Sequence, residues 1–400
     1  MHQLCDGSSG RGTVSWPFYY GERLNDYHLA HELRIQEGPF VPSRNNRDRG
    51  SFLDSFPMEY PAHGLGDYRE DAVSIETLSG NTGLSLNYVS HRILKGKPAL
   101  AGLPASFGGE EDCESIEILC EDVFTGLQAA LLYTVFEQAD VITRSVRIIN
   151  KGKEAFYLTK VISASIDMDN REFEAISLHG SWARERQLQT VPVSHAKLSV
   201  ESTRGESSHQ DHPFLALKTK GTDQEHGEVY AMHFVYSGNF KALVQNDQFD
   251  QVRMMMGIHP EDFKWKLMPG EEFQAPEVVM VYSHEGLGRM SRIFHDFYRE
   301  HLIRSPYKNK KRPILINNWE ATYFEFNTEK LIAIAKQASK LGIEMLVMDD
   351  GWFGNRFDDN RALGDWIVNE EKLPGGLKYL VDEVNKLGMK FGIVKALQKK

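Results

Sequence analysis

Two periodicities divide this chain. From about residue 19 to residue 282, short alternating or β-branched apolar runs recur between turn signals. Such runs at 115–119, 129–136, 141–149, 156–162, 229–235 and 276–281 predict strands. Asn150-Lys151-Gly152-Lys153 and Ser237-Gly238-Asn239 carry the residues of hairpin turns. Helical spacing is scarce, so the pattern predicts a large antiparallel β-sandwich. At 285–302 the period becomes helical, with Leu287, Met290, Ile293, Phe294 and Phe297 on one face.

Beyond Lys308 strands and helices alternate. The run at 314–317 reads as a buried strand, 345–348 as a second strand and 390–394 as a third. Between them, an amphipathic helix is expected at 328–341, opened by Asn327 and stopped by Gly342. A second is expected at 377–387, closed by Gly388. Strand, helix, strand, helix, strand is the signature of βαβ units with right-handed parallel crossovers. The expected organisation is an atypical glycine- and serine-rich segment at 1–18, a β-sandwich domain at 19–284, a linking helix and loop at 285–311, and an α/β segment at 312–400.

The second of these parallel strands carries the chemistry. Leu346-Val347-Met348 runs directly into Asp349 and Asp350, then Gly351 and Trp352. Carboxylates at the C-terminal end of a buried parallel strand sit where barrel enzymes hold their chemistry. Two adjacent carboxylates accept hydrogen bonds from sugar hydroxyls, and an indole offers a flat apolar surface to a pyranose ring. Trp319, just after the first of these strands, suits a pocket wall and a core position equally well. Trp352, Asp365 and Trp366 are weaker candidates, the last two closing the rim after a variable loop at 355–360. Trp182, in Gly180-Ser181-Trp182-Ala183-Arg184-Glu185-Arg186, reads as part of an exposed loop. Ser207-Ser208-His209-Gln210 has no acid partner and no Gly-x-Ser-x-Gly elbow, which argues against a serine nucleophile.

Composition narrows the classes. A formal charge of −10 and a pI near 5.9 argue against a nucleic-acid surface. The one compact basic run, Lys308-Asn309-Lys310-Lys311-Arg312, reads as a solvated linker. No apolar run approaches the ~20 residues of a membrane span, and the N-terminus lacks a signal pattern. A cytoplasmic protein without a membrane partner is expected. Cys5, Cys113 and Cys120 have neither metal spacing nor an even disulfide set, and the histidines show no His-Glu-x-x-His. No metal and no cofactor are expected.

Several motifs occur in a telling order: Val235-Tyr236-Ser237-Gly238-Asn239-Phe240, Val278-Val279-Met280-Val281-Tyr282-Ser283, the run from Pro313 to Phe324, Asp349-Asp350-Gly351-Trp352, and Leu363-Gly364-Asp365-Trp366. Together they resemble the family 36 α-galactosidases (melibiases), and the resemblance runs from roughly Tyr19 to Ile393. It implies that the parallel strands open a (β/α)8 TIM barrel, with room for fewer than three of its eight units. It also implies that Asp349 and Asp350 hold galactose hydroxyls, that Trp319 lines the pocket, and that Trp182 reaches a sugar site. The implied partners are α-galactoside oligosaccharides such as melibiose and raffinose, and other copies of the chain, commonly as a tetramer through the β domain.

The resemblance implies a retaining mechanism, in which one carboxylate attacks the anomeric carbon and a second, about 5–5.5 Å away, transfers the proton. The family carries these carboxylates in Lys-Trp-Asp-like and Ser-Asp-Asn-like motifs, and neither occurs here. Asp382, the only aspartate beyond Trp366, falls within a helix and reads as solvated. No catalytic residue is assigned, and the chain is expected to be truncated within the barrel and inactive alone. After Phe391-Gly392-Ile393 the tail departs from the family pattern and reads as a shifted or artificial ending. Alternatives are a non-enzymatic galactoside-binding or assembly module, and a relative that acts on other α-galactosides or transfers galactose.

Overall fold

The computed structural model describes residues 20–22, 56–64 and 66–394. The segment at 1–18, with Cys5, lies outside the described residues. The chain divides into two compact units, Met1–Ile303 and Arg304–Lys400.

Among the described residues, the first unit contains two sheets. The larger runs in the order Asn87–Lys95, Glu114–Asp122, Leu127–Phe136, Val141–Asn150, Glu277–Ser283, Val229–Val235, Phe214–Lys218, Glu174–Ser181, Arg184–Pro192, with Glu272–Gln274 attached to Val141–Asn150. The smaller runs Val73–Thr77, Phe156–Asp169, Gln251–Ile258, Phe240–Asn246, Lys197–Ser202, with Trp265–Leu267 attached to Phe156–Asp169. Their pairings are antiparallel. One core joins Leu131, Val146 and Ile148 of the larger sheet to Leu158, Val161 and Met255 of the smaller. A second joins Met232, Phe234 and Met280 to Ile166, Phe240 and Met254.

The helix Gly286–His301 is part of this packing. Met290, Ile293, Phe294 and Phe297 cover Val229, Ala231, Val279 and Val281 on the outer face of the larger sheet. Val278 and Met280 face the sandwich interior while Val279 and Val281 face the helix. A strand covered on both faces needs no polar alternation, which explains its continuous apolar run. The helix expected as part of a linker therefore belongs to the first compact unit.

The two predicted hairpin turns are corners between sheets. The Asn150 turn connects Val141–Asn150 of the larger sheet to Phe156–Asp169 of the smaller, and the Ser237 turn connects Val229–Val235 to Phe240–Asn246. Turn residues specify a reversal and not the partner, so a corner and a hairpin look alike in sequence. Buried Asn150 holds its corner by donating to the carbonyls of Glu154 (2.9 Å) and Leu267 (3.0 Å) and accepting from the Gly152 N–H (2.9 Å). A Cβ on Gly152 would lie 2.1 Å from the Thr125 carbonyl oxygen, so only glycine fits there.

A buried ionic group crosses the smaller sheet. Arg253 donates to both oxygens of Asp167 at 2.7 Å and to Asp67 at 3.0 Å, while Arg69 holds Asp67 at 2.9 Å. The guanidinium fork matches the carboxylate geometry, which offsets the desolvation of both charges. Cys113 and Cys120 are buried free thiols, and burial pushes the Cys120 thiol up to about 12.

His233 lies under the helix, hydrogen-bonded to the Tyr298 hydroxyl and stacked 5.2 Å from His212. Burial, with smaller contributions from His212 and Arg186, lowers its pKa to about 3. The unfolded imidazole therefore binds a proton that the folded one refuses between about pH 6.5 and 3. Stability is full above that window and falls through it, by up to about 1.4 kcal/mol for each pH unit. Denaturant titrations should show this decline in the first unit, and His233→Phe should flatten it. An unchanged slope in the variant would remove His233 as the cause.

The second unit is a parallel sheet in the order Leu315–Asn317, Met345–Met348, Lys390–Ile393, with helices Thr328–Lys340 and Gly376–Lys386 in its crossovers. Asn327 caps the first helix by accepting from the Lys330 N–H at 2.9 Å, as the sequence predicts. Leu346 and Met348 bury with Leu331, Ala335, Leu380 and Val384. The run at 314–317 is not buried as expected: Ile314 is 60% and Leu315 53% exposed. It is an edge strand, and among the described residues no further strand pairs with it.

Candidate active site

The C-terminal ends of the first two parallel strands each carry a pair of polar residues, and the pairs are bonded together. Asn317 ends the first strand and Asn318 follows it, while Asp349 and Asp350 directly follow the second. The Asn317 amide donates to Asp349 Oδ2 at 2.5 Å while its Oδ1 accepts from the Trp319 N–H at 2.7 Å. Fully buried Asn318 accepts from the Asp349 N–H at 2.8 Å and donates to Thr322 Oγ1 at 2.8 Å. One asparagine orients the Asp349 side chain and the other its backbone. Both asparagines stand two positions short of the aspartates in the strand register, and no local pattern marks them as their partners.

The two aspartates differ in surroundings. Asp349 Oδ1 accepts from the Asp350 N–H at 2.7 Å. With Asn317 on the other oxygen, this uses about two of the four acceptor positions of a carboxylate. Asp350 accepts from the Gly351 N–H at 2.7 Å and from Arg356, whose Nε lies 3.0 Å from each oxygen and whose Nη2 lies 2.7 Å from Oδ2. Arg356 belongs to the loop expected to be variable. It is 5% exposed and lies over the Phe324 ring at 5.7 Å. Nothing in the local pattern marks it, because its partner is set by the fold of the loop.

A second cation lies under the same turn. Lys372 donates to the Gly351 carbonyl at 2.9 Å and lies 4.6 Å from the Phe326 ring centroid and 5.1 Å from that of Phe357. Burial lowers its pKa and Asp350 opposes that shift. Gly351 has φ +92°, and a Cβ there would lie 2.8 Å from Phe324 Cδ1, so the Asp-Asp-Gly turn requires glycine.

The tryptophans separate into two groups. Trp319 is half-buried, with Phe324 and Tyr323 edge-on to it at 5.0 and 5.2 Å. Trp352, a candidate for the pocket, is instead core: it is 5% exposed, its indole N–H donates to the Val394 carbonyl at 2.9 Å, and its ring packs beside Phe353 and Trp366. Trp366 is half-buried against Phe353 at 4.4 Å, so much of its ring also serves packing, whereas Asp365 beside it is exposed. Trp352 and Phe353 belong to the same buried cluster as Leu331, Leu380 and Val384 of the two helices, and Trp366 packs against it. Trp182 belongs to the first unit, at the tip of the hairpin Glu174–Ser181 and Arg184–Pro192, and is 82% exposed. Asp382 lies on the second helix, paired with Lys378 at 2.6 Å.

A β-sandwich followed by parallel βα units, with polar groups gathered at the strands' C-terminal ends, has the layout of a barrel glycosidase with an N-terminal β domain. Residues 17–268 match the model of the glycosyl hydrolase family 36 N-terminal domain, and residues 272–395 match the melibiase model. The chain belongs to glycosyl hydrolase family 36. It is 48% identical over 376 residues to alpha-galactosidase AgaA of Geobacillus stearothermophilus, covering 94% of this chain and 52% of that protein. It is 43% identical over 383 residues to alpha-galactosidase Mel36A of Lactobacillus acidophilus, covering 96% of this chain and 52% of that protein. A solved structure of an AgaA variant in complex with raffinose superposes with a TM-score of 0.94 at 46% identity, over 98% of this chain and 54% of that one. The chain thus spans about half the length of the curated relatives it matches.

Proposed function

We propose that this chain supplies the galactose-binding wall of an α-galactosidase that cleaves terminal α-linked galactose with retention. The observation that carries this reading is the Asp349–Asp350 pair at the end of the second parallel strand, held by Asn317, Asn318 and Arg356 within a family 36 frame. Asp349 and Asp350 accept hydrogen bonds from galactose hydroxyls. Trp319 packs against the sugar ring, and Asp365 and Trp366 shape the rim; Trp182, in the first unit, offers its exposed indole to a sugar. Trp352 is left out, because its ring and N–H are already engaged.

The two aspartates bind and do not react. The nucleophile and the acid/base come from strands beyond this sequence, which contains neither family motif. Relatives are α-galactosidases, and one was solved with raffinose and another variant of it with stachyose, which makes α-galactoside oligosaccharides the proposed substrates. The test uses a full-length version, this chain extended by the rest of a family 36 barrel. It should turn over a p-nitrophenyl α-galactoside and leave the β-anomer untouched. Galactose binding without turnover would favour a non-enzymatic galactoside-binding module instead, and neither would sink both readings.

A further inference from the structure

Arg356 converges three anchors on one point. Its Nε and Nη2 engage Asp350, and its Nη1 donates to the carbonyls of Asp358 (3.2 Å) and Arg361 (2.8 Å). The loop itself offers carboxylates closer in sequence, Asp358 and Asp359, yet the Asp359 carboxylate is 4.0 Å away and the Asp358 side chain pairs with Arg361 at 2.6 Å. The fork is spent on Asp350. Behind it, Lys372 fixes the Gly351 carbonyl, and Phe324 lies beside both cations, 5.7 Å from Arg356 and 5.8 Å from Lys372.

From this geometry we propose that Arg356 is a positioning residue for galactose binding, acting through the Asp350 carboxylate. The proposal rests on the reading of Asp350 as a sugar-binding group. A free aspartate side chain samples several rotamers, and the neighbouring Asp349 carboxylate repels it. Bidentate pairing with a buried guanidinium selects one orientation and balances the charge. The same residue ties the loop at 355–361 to the strand end, so the turn and the loop behind it move as one body. Misplacing a binding group by about an ångström costs up to roughly 100-fold. A contact made equally in the ground and transition states changes KM and leaves kcat alone, so the expected loss falls on KM.

The experiment measures kcat and KM for a p-nitrophenyl α-galactoside in the full-length version, for wild type, Arg356→Ala, Arg356→Lys and Asp350→Asn, and for Arg356→Ala combined with Asp350→Asn. Arg356→Ala should raise KM about tenfold or more while kcat changes less than about threefold. Arg356→Lys keeps the charge without the fork and should recover part of the loss. In the Asp350→Asn background, Arg356→Ala should add little, because the route through Asp350 is already broken. A KM within twofold of wild type, or equal and additive losses in both backgrounds, would overturn the proposal. If Arg356→Ala fails to fold, Arg356→Lys carries the same criterion alone and in the Asp350→Asn background. Wild-type protein with no turnover would instead overturn the underlying reading, and this proposal with it.

Discussion

Assayed as the 400-residue polypeptide, the protein should show no α-galactosidase turnover. Retaining hydrolysis needs a carboxylate nucleophile and a carboxylic acid on opposite sides of the anomeric carbon, about 5–5.5 Å apart. Asp349 is bonded to Asn317 and to its own turn, and Asp350 is neutralised by Arg356. Both aspartates sit side by side on one strand end and cannot flank a bond. Asp382 points from a helix surface into an ion pair with Lys378. Losing both reacting groups removes most of an acceleration of at least ~10⁶-fold. Purified protein with a p-nitrophenyl α-galactoside gives the measurement, and turnover of about 1 s⁻¹ or more would refute the assignment of roles.

In the full-length version, Asp349→Ala and Asp350→Ala should each remove productive galactose binding, with different side effects. Each deletes a charged acceptor for a sugar hydroxyl, a loss of about 1.5–3 kcal/mol, or roughly 10- to 150-fold in kcat/KM. Asp349→Ala leaves behind the Asn317 amide and the Asp350 N–H, two neutral donors that water entering the vacated space can satisfy. Asp350→Ala leaves the Arg356 guanidinium with only the Asp358 and Arg361 carbonyls; breaking a fully buried pair costs about 3–5 kcal/mol, and the partly exposed Asp350 makes the loss here smaller. Asp350→Ala should therefore lower the unfolding midpoint of the second unit while Asp349→Ala leaves it nearly unchanged. Asp382→Ala is the control, since an exposed i,i+4 pair contributes less than about 0.5 kcal/mol. Values of kcat/KM within twofold of wild type for both Asp349→Ala and Asp350→Ala would refute their role in sugar binding. Equal midpoints for the two variants would show that the Arg356 pair does not stabilise the unit.

What the sequence determined by itself is what local periodicity encodes. The apolar run before Asp349 makes Met345–Met348 a parallel strand, and a strand that ends in carboxylates places them at the sheet's C-terminal edge. Asn327 begins a helix through its side-chain oxygen and Gly342 stops it through its positive φ, both local effects that need no help from the rest of the chain. The ordered family motifs were legible for the same reason: each is a contiguous string.

Tertiary structure decided which residues separate strings bring together. Asn150 and Ser237 look like hairpin turns, and only the pairing of the flanking strands makes them corners between two sheets. Arg253 finds Asp67 across 186 positions, a contact without any period to announce it. At the site, Trp352 and Asp349 stand three residues apart, yet one indole sinks into the core while its neighbour's carboxylate keeps open acceptor positions. Arg356 lay in a stretch with no hydrophobic pattern at all. Its partner follows from the path the loop takes back to the strand end, where a buried guanidinium must meet a carboxylate or pay the full cost of its desolvation.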